Sequence, residues 1–284
     1  MKRTTLYSIA IVLSLLVATQ QNLAQGNAAL YDSKSFSSQE TIHLFNGKNL
    51  DGWYTFIKGR GRNNDPQKVF KVDHGAIHIS GEDWGCITTN NEFKNYRLVV
   101  EYKWGEKTFG SRANNARDNG ILFHSKGEDG GYDGTWMHSI ECNVIEGGTG
   151  DFIVVGNHSN DYMLISPAAP EKQNGSYIYQ PGGDPVTINS GRINWFGRDP
   201  EWKDVKGFRG KNDIEKPIGQ WNKLECVVRD SEIFIYLNGT LVNHAIYTKP
   251  SEGRIQIQAE GAEIFYRRID LTPLPEIPPF VPEG

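Results

Sequence analysis

Arg97-Leu98-Val99-Val100-Glu101-Tyr102-Lys103-Trp104 alternates in character with a period of two. Leu98, Val100, Tyr102 and Trp104 fall on one side, and Arg97, Val99, Glu101 and Lys103 on the other. Successive side chains of an extended strand point to opposite faces, so this pattern predicts a strand with one buried side. The same scheme recurs in Ile140-Glu141-Cys142-Asn143-Val144, where Glu141 and Asn143 oppose three apolar residues. It recurs again in Arg254-Ile255-Gln256-Ile257-Gln258-Ala259-Glu260. Asn238-Gly239, between Glu232–Leu237 and Thr240–Val242, has the composition of a type I′ hairpin, which needs positive φ at both central positions. No stretch of the chain beyond the N-terminal segment carries a helical period over more than two turns. Many short strands joined by Gly, Asn and Asp turns predict an all-β sandwich or jelly roll.

The chain has 284 residues and a net charge of −4. It opens with Met1-Lys2-Arg3, an apolar run from Leu6 to Ala18, and small or polar residues up to Ala24. That layout predicts a signal peptide over 1–24, cleaved near Ala24, and a secreted or periplasmic protein with no membrane insertion after cleavage. Cleavage removes two basic residues and moves the charge from −4 to −6. A mildly acidic chain without a long basic stripe argues against nucleic acid as a partner. Residues 25–40 read as a loose leader and 41–284 as a single β-sandwich domain. The stretch 147–220 is rich in glycine, proline and aromatic residues, and reads as a loop-rich insertion walling a site. Cys86, Cys142 and Cys226 match no zinc spacing and read as buried thiols.

Three strands present polar side chains opposite their apolar ones: Glu101 with Lys103, Glu141 with Asn143, and Gln256 with Gln258 and Glu260. A wet outer face explains each set singly. Amides and carboxylates beside tryptophan-rich loops also suit a sugar, whose hydroxyls need paired polar groups and whose C–H face needs an aromatic surface. His124, at the end of Asp118–His124, is a possible general base or metal ligand, or merely a hydrogen-bonded strand end. Glu146-Gly-Gly-Thr-Gly-Asp151 lacks the Lys-Ser/Thr and the helix of a phosphate loop, which leaves a tight turn positioning Glu146 or Asp151.

Leu44-Phe-Asn-Gly-Lys-Asn-Leu-Asp-Gly-Trp53 resembles the opening signature of the 3-keto-disaccharide hydrolase family. Val72–Ile77, Asp118-Asn119-Gly120-Ile121, Gly219-Gln-Trp-Asn222 and Gly253–Gly261 running on to Ile269 resemble its later blocks, in order over roughly 42–273. The resemblance implies a concanavalin A-like jelly roll of two antiparallel sheets with a sugar on one face. The family's central strand commonly reads Glu-x-Gln-Ile-x-Asp; here it is Glu141-Cys-Asn143-Val-Ile-Glu146. The implied reaction is cleavage of a 3-keto-glycoside, with Glu141 as base or acid and His124 and Glu146 as further proton-transfer candidates. Lys103, Asn143 and Gln258 are expected as stabilisers and hydroxyl ligands, with Asn119, Glu101 and Glu260 completing the substrate set. A divalent metal held by His124 and Glu141 is possible but not demanded by any spacing. The alternatives are a non-catalytic carbohydrate-binding module of the cell envelope and an envelope protein that binds another protein through its aromatic loops.

Overall fold

The computed structural model describes residues 40–276. The expected signal peptide, nearly all of the expected leader and the end of the proline-rich tail therefore lie outside the described residues. Twenty strands form three sheets, and the one helical element among the described residues is a 3-10 turn at Gly110–Arg112.

The first sheet runs in spatial order β17 (Thr240–Ala245), β16 (Glu232–Leu237), β15 (Asn222–Arg229), β7 (Tyr96–Thr108), β20 (Ala262–Pro273), β5 (Ala76–Ile79), β4 (Phe70–Asp73), and β1 (Ile42–His43) also pairs with β20. The second runs β12 (Tyr177–Ile178), β14 (Gly191–Asn194), β10 (Asp151–Val155), β9 (His138–Ile145), β8 (Asp118–Lys126), β19 (Arg254–Ala259), β6 (Gly85–Thr89), β2 (Trp53–Ile57), β3 (Gly61–Arg62). A small third sheet joins β13 (Asp184–Ile188), β11 (Met163–Ala168) and β18 (Tyr247–Lys249). The all-β jelly-roll sandwich expected from the sequence is thus present. The pairing is antiparallel except between β12 and β14, which run parallel.

Alternation puts the core between the two large sheets. Leu98, Val100, Tyr102 and Trp104 of β7 are buried together with Ile140, Cys142 and Val144 of β9 and Ile255 and Ile257 of β19. Burying each such side chain contributes roughly 1.5–3 kcal/mol, and this apolar contact is what selects the register of every strand. All three cysteines are buried free thiols. The hairpin at Asn238-Gly239 has φ of 50° and 89°, the two positive values that the Asn-Gly pair predicts.

Two expectations need correction. Residues 147–220 are not loops throughout, because they contain β10 to β14; Phe152 alternates into the core, and Tyr179 and Trp195 are buried there as well. Glu101 and Lys103 also leave the candidate site, because β7 belongs to the first sheet and they point to its outer side. There Arg267 Nε donates to Glu101 Oε2 at 2.5 Å, and Lys103 Nζ lies 5.0 Å above the Trp221 ring. Exposed pairs of this sort are worth about 0.2–1 kcal/mol and close off the outer face. Alternation says which residues share a side of one strand; it says nothing about which sheet that strand joins.

Candidate functional site

The outer face of the second sheet gathers the chemistry. Glu141 and Asn143 on β9 point away from the core, and their register partners on β8 are Leu122 and Gly120, with Asp118 opposite Ile145. On the other side of β8, Gln256 pairs with Leu122, which carries Gln258 over Gly120. A Cβ at Gly120 would collide with both Glu141 Oε1 and Gln258 Oε1, so any larger residue here pushes these two side-chain ends aside. Glu260 follows at the end of the same strand.

Asn143 ties the cluster together. Its Nδ2 donates to Asp118 Oδ1 at 2.9 Å and to Glu141 Oε1 at 3.0 Å, with the Asn119 carbonyl a longer third acceptor at 3.3 Å. Arg112 donates to Asp118 Oδ2 and lies 3.7 Å from Glu260 Oε1. Asp118, Glu141, Asn143 and Gln258 are each at most 4 % exposed. Two acceptors, Asn143 Oδ1 and Gln258 Oε1, are buried with no hydrogen-bond partner among the described residues. An unmet buried acceptor costs about 1–3 kcal/mol, which a ligand hydroxyl would recover.

Burial and the neighbouring Asp118 push the Glu141 carboxyl up to about 8, although the Asn143 hydrogen bond and Arg192 oppose the shift. Burial also raises Asp118, and Arg112 pulls it back toward the ionised form. Glu260 is raised well above its ordinary value by burial and by the two other carboxyls. Arg112 and Asn143 between them occupy both Asp118 oxygens, whereas burial leaves Glu141 holding a proton at neutral pH.

The other expected residues lie elsewhere. Asn119 faces inward: its side chain donates to the Gln258 carbonyl and accepts from Tyr266 Oη, both at 2.5 Å, bridging the two sheets. Glu146 lies past the end of β9, where its carboxylate accepts from Arg117 Nη1 at 2.5 Å, Arg117 N at 2.9 Å and Gly207 N at 2.8 Å. That buried pair anchors a loop. His124 sits at a bulge with φ 55°, its Nδ1 2.7 Å from the Pro250 carbonyl, and burial lowers its pKa to about 4. No hydrogen bond or ion pair joins it to Glu141. Its Nε2 is buried without a hydrogen-bond partner, and no group of three His, Cys, Asp or Glu among the described residues is arranged to hold a metal.

Asp118, Gly120, Arg112 and Arg192 were not among the expected site residues. The first two were legible. Ile121 is apolar and inward, so alternation along β8 turns Asn119 inward and sends Asp118 and Gly120 out to meet Asn143. Arg112 and Arg192 reach the face from a turn and from β14, and no local pattern marks them.

Residues 40–272 match the family model described as the 3-keto-alpha-glucoside-1,2-lyase-like domain. The chain belongs to this family. It is accordingly a carbohydrate-active protein of glycosidase-like character. Comparison with curated protein sequences finds no match. Among solved structures, the chain is similar to a candidate glycosyl hydrolase from Parabacteroides distasonis ATCC 8503, with TM-score 0.48 and 17 % identity over 86 % of this chain and 98 % of that one. It is also similar to the carbohydrate-binding module CBM66 from Bacillus subtilis, with TM-score 0.40 and 11 % identity over 81 % and 99 % of the two chains. A β-glucanase of Bacillus licheniformis gives TM-score 0.42 and 11 % identity over 83 % and 98 %. At such identities and TM-scores the likeness assigns neither substrate nor reaction. No helix among the described residues is long and apolar enough to cross a membrane.

Proposed function

We propose that the chain is an exported enzyme that cleaves 3-keto-glycosides on the outer face of its second sheet. The observation that carries this reading is the Glu141–Asn143–Asp118 cluster, in which one amide holds a carboxyl group that burial keeps protonated against a second that is paired with Arg112. Elimination from a 3-keto sugar needs that pair. The ketone acidifies the C2–H bond, and a base takes the proton. The C2–H electrons form the C1–C2 double bond as the C1–O bond breaks, and the departing oxygen takes a proton from an acid. Asp118, paired with Arg112, serves as the base, and Glu141 as the acid. Arg112 also offers positive charge to the enolate that develops at the C3 oxygen. Asn143 Oδ1 and Gln258 Oε1 accept from sugar hydroxyls and orient the ring. Water then adds across the enone, restoring the 3-keto sugar with a free C1 hydroxyl.

Export, with removal of a signal peptide over 1–24, belongs to the same proposal. It is supported by the basic start and apolar run of residues 1–24. Incubation with a 3-keto-glucoside and with its unoxidised parent tests the reaction. Release of the aglycone from the keto sugar alone is expected. Binding of the parent with cleavage of neither compound would favour a non-catalytic carbohydrate-binding module instead.

A further inference from the structure

Next to the carboxyl cluster, a cleft of about 1000 Å³ opens between the start of β14 and the 198–211 loop. One wall carries the amides and hydroxyl of Gln173, Asn174 and Ser176, and the other carries Trp202 and Phe208. Such walls suit a ring bearing hydroxyls. The charge of the cleft is opposite to that of the whole chain. Arg192, Arg198, Lys203, Arg209 and Lys211 line it, against Asp199 and Glu201, in a protein whose net charge is −4.

The acids lie beneath the cations. Asp151 is fully buried, and its Oδ2 takes both Arg198 Nη1 at 2.9 Å and Arg192 Nη1 at 3.3 Å, so one carboxylate serves two guanidinium groups. Asp213, with a side chain 4 % exposed, lies under Arg209, whose side chain is 41 % exposed. The Asp199 carboxylate is occupied by the backbone N–H groups of Glu201 and Lys211. Lys203 and Lys211 are exposed and have no ion-pair partner among the described residues. The surface that a ligand meets is therefore cationic, with Glu201 as the exposed acid.

Arg192 connects this cleft to the carboxyl cluster. It opposes Ile153 of β10, and Ile153 opposes Glu141, so Arg192 stands two strands from Glu141 on the same face. Two strand spacings are about 10 Å, the reach of the next group along a bound glycoside.

From this juxtaposition we infer that the cleft is the subsite for the leaving group, and that this group carries an oxyanion, a carboxylate or a sulfate. The inference rests on the carbohydrate reading of the second-sheet face. Arg192, whose Nη1 is held by Asp151, offers its remaining guanidinium N–H groups to such an anion, Lys203 and Lys211 supply mobile charge, and Trp202 and Phe208 flank the ring that bears it.

The test uses the full mature protein and 3-keto-glucosides of 4-carboxyphenol, 4-sulfophenol and neutral 4-carbamoylphenol. Binding is measured by calorimetry and turnover by phenol release. Tighter binding of at least one anionic compound is expected, by about tenfold at low ionic strength, shrinking as salt is added. The two anionic arms separate a preference for carboxylate from one for sulfonate, which stands in for a sulfate. In the double variant K203E/K211E, whose fold is checked by thermal melting, the anionic-to-neutral ratio should fall to about one or below. Equal binding of all three compounds by the unaltered protein, or an anionic preference that survives the double variant, overturns the subsite. Turnover without anionic preference overturns the subsite alone. Preferential anionic binding without turnover supports the subsite and overturns the reaction. Absence of binding by all three overturns both.

Discussion

Asn143 Nδ2 donates to Glu141 Oε1 at 3.0 Å from two residues away on the same strand face, and it also donates to Asp118 Oδ1, with the Asn119 carbonyl a longer third acceptor. One side-chain amide therefore sets the distance between two carboxyl groups without adding a charge. The family's usual glutamine at this position has one more methylene; the shorter asparagine is matched by Gly120, which lets Glu141 and Gln258 lie low over the β8 backbone. Asn143→Ala should remove the hydrogen bonds that hold the two carboxyl groups in place and lower kcat by about ten- to a hundredfold, with a smaller change in KM. An unchanged kcat would remove Asn143 from the mechanism.

Glu141 must be protonated to act as the acid. Its carboxyl is raised to about 8, so kcat/KM should fall as pH rises through that region and hold below it until Asp118 loses its charge. Stability follows the same sign. The folded state keeps a proton that the unfolded chain releases in the ordinary carboxylate range, so stability declines as pH rises from that range toward about 8. A pH–rate profile alongside thermal melts across that window checks both statements.

Glu141→Gln keeps the shape and the Asn143 contact but holds no transferable proton. Turnover should drop by about 10²–10⁴, while the melting temperature at pH 8 and above stays equal or rises, because a buried ionising group is gone. Retained turnover would transfer the acid role to another residue.

Gly120→Ala places a methyl group against Glu141 Oε1 and Gln258 Oε1. About 1–3 kcal/mol of destabilisation and loss of sugar binding are expected, because both side chains must swing off the strand. Denaturant melts and calorimetric titration with a glycoside measure the two effects separately.

Glu146→Ala breaks a buried pair with Arg117 and frees the Gly207 amide. It should cost roughly 3–5 kcal/mol, since an unpaired guanidinium is left in a nearly closed site. If turnover were lost in Glu146→Gln while the fold remained intact, Glu146 would return to the chemistry.

The strand pattern and the Asn-Gly hairpin were written in the local sequence, because a period of two and a pair of positive φ angles are properties of neighbouring residues. The placing of Glu141 and Asn143 on one outward face was legible for the same reason. The inward turn of Asn119 could also have been read, from the apolar Ile121 two residues on. The sheet to which a strand belongs could not: Glu101–Lys103 and Glu141–Asn143 carry the same alternation, yet long-range pairing sends them to opposite sides of the sandwich. Nor could the capture of Glu146 by Arg117, or the approach of Arg112 and Arg192 to the carboxyls. The sequence by itself determined an all-β chain and the polar faces of its strands. Only the tertiary structure decided which of those faces meet, because charge pairing and burial are set by residues far apart in the chain.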